Sequence, residues 1–188
     1  MPSVLVPSVL VPLAPGFEDL EAVTIVNILR RAGIEAVTAG LAPGLVQGAR
    51  GIRIQPDAEL DAVLGRDFDM IALPGGMPGA ENLKNDARIQ TLLRRMAADG
   101  CYLAAICAAP IALAQAGVLD GRRITSYPGF VEKMTIPGAT CLTDGVVVDG
   151  KVVTSRGPGT AMDFALTLAE LLAGRAKREQ VEAGLVRG

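Results

Sequence analysis

Histidine is absent from the 188 residues, and so is tryptophan. Without histidine the chain contains no Cys-His or Ser-His-Asp catalytic pair and no histidine-ligated zinc. Acid–base chemistry therefore falls to a carboxylate, tyrosine, lysine, cysteine or water. Aromatic residues make up only 3%, too few for a base-stacking platform on single-stranded nucleic acid. A basic surplus is missing too. The formal net charge is −2, which argues against nucleic acid or an anionic membrane as a partner. No apolar run reaches the roughly 18 residues that span a bilayer, and the N-terminus lacks the positive n-region of a signal peptide. A cytoplasmic location is the expectation. Cysteines number three, an odd count that gives no disulfide framework and agrees with a reducing compartment. Their positions, 101, 107 and 141, have no zinc-finger spacing, so no metal site is expected.

What is present is an ordinary globular composition, half hydrophobic and one fifth charged, enough for one domain with a full core. Short apolar runs alternate with helical patterns. Strands are predicted at Val9–Leu13, Ile34–Ala39, Ile52–Gln55, Met70–Leu73, Tyr102–Ile106, Ile124–Ser126, Val146–Val148 and Val152–Ser155. Helices are predicted at Asp19–Ala32, Ala87–Ala98, Ala109–Ala116 and Ala161–Leu172, each followed closely by a glycine stop, with a last charged helix from Arg175 to Val186. Pro74–Gly79 reads as a tight loop. Strands spaced by helices of this length predict a mainly parallel sheet covered on both faces, and the Asp144–Lys151 stretch fits an antiparallel hairpin. Ser3–Pro7 is repeated at once as Ser8–Pro12. Residues 1–7 are expected to form a loose tail without function.

Chemistry is concentrated in Leu103-Ala-Ala-Ile-Cys-Ala-Ala-Pro110. A buried strand runs into a helix with Cys107 at the junction. Ala105 and Ala109 permit a sharp turn, and Pro110 suits a first helical turn. Such a turn places the thiol near a helix N-terminus and free N–H groups, a setting that lowers a thiol pKa and offers donors to an oxyanion. A buried structural cysteine is the competing reading for Cys107, and the two stand about even; Cys101 and Cys141 are read as buried and structural.

In Gly16-Phe-Glu-Asp-Leu-Glu-Ala-Val-Thr24, Glu18 and Asp19 read as capping acids that complement the helix dipole. Glu21 has apolar helical neighbours in Phe17, Ile25 and Ile28. Such surroundings raise a carboxyl pKa, although the residues alone lean towards an exposed first-turn glutamate. Gly75 and Gly76 are able to bring N–H groups close to a bound oxygen, or to form a plain turn. The loops at Gly16, Gly75-Gly76, Cys107 and Tyr127-Pro128 all follow predicted strands and should gather at the carboxyl edge of the sheet, where ligands bind. Ser155-Arg-Gly-Pro-Gly-Thr160 lacks the lysine of a phosphate-binding loop; Arg156 there holds an anion, a neighbouring loop, or solvent alone.

Taken together, Gly16–Val23, Arg30–Ile34, Leu73–Ala80, Ala104–Pro110 and Thr154–Thr160, in this order, resemble the ThiJ/PfpI superfamily, in the branch of the Parkinson-disease protein deglycase and the bacterial YajL proteins. The resemblance covers nearly the whole chain after the duplicated pentapeptide. It implies a flavodoxin-like three-layer α/β sandwich and a homodimer. It implies that Cys107 is the family's easily oxidised elbow cysteine and that Glu21, not Glu18, is the carboxylate beside it. The N–H groups of Gly76 and Ala108 would form the oxyanion site, and Arg31 and Arg50 match arginines near the site and dimer interface of relatives. Many relatives carry histidine at the position of Tyr127, so a protease activity built on Cys-His is not expected, nor is an amidotransferase.

The first function this implies is a cofactor-independent glyoxalase or protein deglycase acting on methylglyoxal-type α-oxoaldehydes or early glycation adducts. The alternative is a redox-sensing, chaperone-like dimer whose signal is Cys107 oxidation. A thiazole-pathway role ranks last.

Overall fold

A computed structural model describes residues 6–187. The first five residues of the expected tail lie outside this range. Its last residue, Pro7, is not loose: its carbonyl accepts the Glu35 N–H at 2.9 Å.

Eleven strands and seven helices follow along the described chain. They are β1 (Ser8–Leu13), α1 (Asp19–Arg31), β2 (Glu35–Gly40), β3 (Val46–Gln47), β4 (Arg53–Ile54), β5 (Ala58–Glu59), α2 (Leu60–Val63) and β6 (Met70–Leu73). Then come α3 (Gly79–Asn85), α4 (Ala87–Ala98), β7 (Tyr102–Ile106), α5 (Pro110–Ala116), β8 (Arg123–Ile124), β9 (Thr140–Cys141), β10 (Val146–Asp149), β11 (Val152–Ser155), α6 (Ala161–Ala173) and α7 (Arg175–Ala183). The main sheet has the order β10-β11-β7-β6-β1-β2-β5. All its pairings are parallel except the edge hairpin of β10 with β11. This is the expected α/β sandwich of flavodoxin-like form, with the expected hairpin.

Alternation within the strands builds two cores. Val9, Val11 and Leu13 of β1 point with Ala72 and Ile106 towards α1 and α6, against Ile25, Ile28, Leu29, Phe164 and Leu168. Leu10 points the other way with Ile71, Leu73 and Leu103, towards Leu83, Leu92, Leu93 and Leu113 of α3, α4 and α5. Both faces of each central strand are thus dry, which explains why these strands read as continuous apolar runs. At about 25 cal/mol per Å² of buried apolar surface, these two layers are the main source of stability. Helix stops follow the sequence signals. Gly117 closes α5 in a left-handed conformation with φ +76°, which glycine adopts without a Cβ penalty. Asp86 caps α4 by accepting the N–H groups of Arg88 and Ile89.

Four local expectations differ. Part of the Pro/Gly-rich loop turns into α3, whose Ala80, Glu81, Leu83 and Lys84 are good helix formers once Leu83 is buried. The strand at Ile52–Gln55 shortens to β4 and pairs only with β3, in a ribbon outside the main sheet. The strand at Ile124–Ser126 is β8, which pairs with β9 in a second small ladder. The last helix ends at Ala183 rather than Val186.

Candidate active site

Loops at the carboxyl ends of the parallel strands meet in one cleft of about 300 Å³, lined by Glu18, Ala49, Arg50, Gly76, Met77, Cys107, Ala108, Tyr127, Phe130 and Pro158. Cys107 follows β7 directly and is 9% exposed. Its φ is +63°, left-handed for a residue with a side chain; among the described residues Val186 is the other non-glycine case. This conformation costs on the order of 1–2 kcal/mol and persists only where the surroundings over-determine it. They do here. The Cys107 N–H donates to the Ser155 carbonyl at 2.9 Å, and its own carbonyl accepts the Tyr127 N–H at 2.8 Å. Ala105 and Ala109, both fully buried, leave room for the bend. The turn brings the sulfur to the N–H groups of Gly76 and Ala108, which act to hold its pKa down.

Glu21 is fully buried on the first turn of α1, not exposed. Its Oε2 accepts the Gly75 N–H at 2.8 Å. Oε1 has no hydrogen-bond partner among the described residues, and the Cys107 thiol lies close enough to act on the carboxyl. A Cβ on Gly75 would lie 2.6 Å from the Cys107 Cβ and 2.9 Å from Glu21 Oε2. Glycine is therefore what lets the cysteine and the carboxyl meet across this strand end. Burial raises the Glu21 carboxyl to about 7, against the pull of the Gly75 N–H and the thiol and with a push from the Glu18 charge.

The thiol departs from the sequence expectation. It is pushed up to about 12, first by burial and then by the Glu21 charge, while the Gly76 and Ala108 N–H groups oppose the rise. The short helix α5 starts three residues later, at a proline without an N–H, so its dipole is weak against desolvation and a neighbouring carboxylate. Cysteine and carboxyl compete for a single negative charge, and burial raises both of them.

Other expected residues separate. Arg50 lines the cleft. Arg31 does not: it lies at the exposed end of α1, donates to Asn27 Oδ1 at 2.8 Å and lines a different groove with Val23, Val26 and Ile54. In this chain it cannot touch a ligand at Cys107, because it sits at the far end of a 13-residue helix whose first turn carries Glu21. The Tyr127 ring is about half exposed and packs edge-on against Phe130, with centroids 6.1 Å apart. Arg156 holds a neighbouring loop through the Thr143 carbonyl at 3.0 Å. Cys101 is half-buried and Cys141 exposed, not buried as expected; β9 pairs only with β8, in a two-stranded ladder outside the main sheet.

Capping does not describe the two preceding acids. Glu18 makes no side-chain cap and instead lines the cleft. Asp19 is 3% exposed and accepts the N–H groups of Arg50 at 2.7 Å and Ile52 at 2.9 Å. Sequence reasoning also passed over Phe130, although a second aromatic three residues after Tyr127 is a signal in so aromatic-poor a chain. Ala49 and Met77 carried no such signal. Among the described residues no cluster of three or more acidic or thiol side chains is placed to hold a metal ion.

A family model described as the DJ-1/PfpI family matches residues 7–171. The chain belongs to that family. It is 43% identical over 180 residues to Protein dj-1beta of Drosophila melanogaster, covering 95% of this chain and 96% of that protein. The crystal structure of Drosophila DJ-1beta superposes with a TM-score of 0.93 at 41% identity, over 98% of this chain and all of that one. Protein DJ-1 homolog A of Arabidopsis thaliana is 41% identical over 95% of this chain, which spans only 46% of that longer protein. A Caenorhabditis elegans relative named Glutathione-independent glyoxalase DJR-1.2 is 38% identical over 85% of each chain. Family membership agrees with the resemblance drawn from the motifs, and the strained cysteine beside a buried carboxyl is what those motifs build here.

Proposed function

We propose that the chain is a cysteine-dependent, cofactor-independent glyoxalase or deglycase acting on methylglyoxal-type α-oxoaldehydes or their early adducts. The observation that carries this reading is a strained, nearly buried cysteine that meets a fully buried carboxyl beside Gly75. A relative bearing the name of a glutathione-independent glyoxalase supports it.

The chemistry follows from the two groups. As the Cys107 sulfur bonds to the aldehyde carbon, the thiol proton passes to the Glu21 carboxylate and then to the former carbonyl oxygen, giving a hemithioacetal. The N–H groups of Gly76 and Ala108 are donors for the negative charge that develops on that oxygen. Glu21 next removes the proton from the same carbon to give an enediolate, the hydroxyl proton passes from the first oxygen to the second, and Glu21 returns its proton to the adjacent carbon. The product is a lactoyl thioester on Cys107. Water adds to the thioester, the C–S bond breaks, and lactate leaves with the thiol restored. The net reaction is methylglyoxal plus water to lactate and a proton, with no external oxidant or reductant. A general base is most effective with a pKa near the working pH, as Glu21 has.

A homodimer forms part of this reading. Leu20 and Val23 on α1 and Leu45 and Ile52 around the β3–β4 ribbon are each about half exposed, an apolar face that a second copy would cover, with Arg31 at its margin.

The test is lactate production from methylglyoxal by the reduced protein, with Cys107→Ala and Glu21→Gln alongside. Turnover in the wild type, lost by at least ~100-fold in each variant, is expected. No lactate from fully reduced wild-type protein would overturn the reading.

A further inference from the structure

The cleft contains one cation, Arg50, and one carboxylate, Glu18, and neither is engaged in an ion pair among the described residues. Arg50 reaches the cleft on the turn of residues 48–52 between β3 and β4, of which Arg50, Gly51 and Ile52 are exposed. That ribbon belongs to no larger sheet, so its tip has little sheet pairing to fix it.

The side chain that holds it is Asp19. The carboxylate is buried on the first turn of α1, and each oxygen accepts one N–H from the turn: Oδ2 from Arg50 itself and Oδ1 from Ile52. A Cβ on Gly48 would collide with this carboxylate, so the turn is shaped to receive it. Two neighbouring main-chain bonds, Ala49 N–H to the Phe17 carbonyl at 2.7 Å and Gly16 N–H to the Gln47 carbonyl at 2.8 Å, tie the same turn to the segment before α1. Two residues after Asp19, α1 carries Glu21. One helix turn thus holds the catalytic carboxyl inside and the arginine-bearing turn outside. A charged acceptor on two N–H donors is stronger than a neutral one, and an Asn in its place would leave one N–H facing an amide NH₂.

We infer that Asp19 is a positioning residue that latches the 48–52 turn so that Arg50 stands at the cleft mouth and favours ligands carrying a negative charge or a strongly polarised oxygen. This inference rests on the reading of the Cys107 cleft as the reactive site, but its test does not require turnover. The measurement is the alkylation rate of Cys107, followed by mass spectrometry of its peptide, with iodoacetate and with iodoacetamide. The two reagents differ in charge and react at the same sulfur, so their rate ratio reads the electrostatics of the mouth rather than the reactivity of the thiol.

Arg50→Ala should lower the iodoacetate-to-iodoacetamide ratio by roughly fivefold at low salt, as expected for loss of one charge near the entrance. Asp19→Ala should lower it similarly although Asp19 is itself an anion, whose removal alone would raise the ratio. In Arg50→Ala the further change Asp19→Ala should do nothing or raise it. Asp19→Asn, which keeps one acceptor, should fall between and serves if the alanine variant fails to fold. Far-UV circular dichroism and an unchanged iodoacetamide rate report an intact fold. A ratio unaltered or raised in both Asp19 variants, an unaltered ratio in Arg50→Ala, or an Asp19 effect that persists without Arg50 would overturn the inference. Where lactate is also measured, loss of the latch should raise KM more than it lowers kcat. Absence of any lactate would tell against the proposed reaction and leave the alkylation result standing.

Discussion

Replacing Glu21 by glutamine should make the protein more stable at pH 8 than the wild type, by an amount that vanishes in mild acid. The carboxyl titrates at about 7 in the fold, against 4.5 when free of it. An acid raised by folding holds its proton more tightly in the native state, so its contribution is fully favourable below pH 4.5 and is lost as pH rises through 7. At about 1.4 kcal/mol per tenfold change in proton affinity, the rise corresponds to about 3 kcal/mol. Glutamine keeps a carbonyl oxygen for the Gly75 N–H and has no charge to bury. The thiol, pushed up to about 12, stays protonated across this window and adds nothing to the slope. Urea unfolding of both proteins at pH 5, 6.5 and 8, at equal concentration and under reducing conditions, gives the difference directly. It should grow in favour of the variant by about 2.5 kcal/mol between pH 5 and 8, or roughly 5–10 °C in thermal midpoint for a chain of this size. A difference that stays constant within about 1 kcal/mol across the range would refute the assignment of a buried, near-neutral carboxyl.

The same titration predicts the pH profile of activity. If Glu21 is the base, kcat/KM should climb with pH around a midpoint near 7, because only the ionised carboxylate accepts a proton; a profile that is flat or falls between pH 6 and 8 would contradict that role. Gly75→Ala should cost about 1–3 kcal/mol of stability by overpacking and lower turnover as well, since its Cβ would intrude between Cys107 and Glu21; denaturant unfolding and the lactate assay read the two effects. Tyr127→Phe should leave activity within about twofold, because the bond to the Cys107 carbonyl comes from the Tyr127 main chain; a large loss would give the phenol a role in the reaction.

Much of the site was legible because its parts are local. The apolar strand, the alanines around Cys107 and the following proline mark a turn in one short segment. The position of loops after parallel strands gathers them at one edge by topology alone. Glu21 was harder. An acid in a first helical turn is stabilised at the surface by the dipole, so local rules pull towards exposure, and only the motif resemblance and then the packing placed it inside. Asp19 misled for the same reason: its acceptors' partners lie some thirty residues downstream, beyond any local signal.

Alone, the sequence determined that histidine chemistry is impossible here, that strands and helices alternate with both sheet faces dry, and that Cys107 lies at a strand-to-helix junction. Those properties are carried by composition, by hydrophobic period and by adjacent residues. Tertiary structure decided the surroundings of the pair. A thiol beside a helix start is expected to be acidic, but burial pushes both it and Glu21 up, because the cost of removing a charge from solvent depends on everything packed around it. It decided also that Arg50, rather than Arg31, stands at the cleft, since only the folded turn under Asp19 brings that part of the chain to the sulfur.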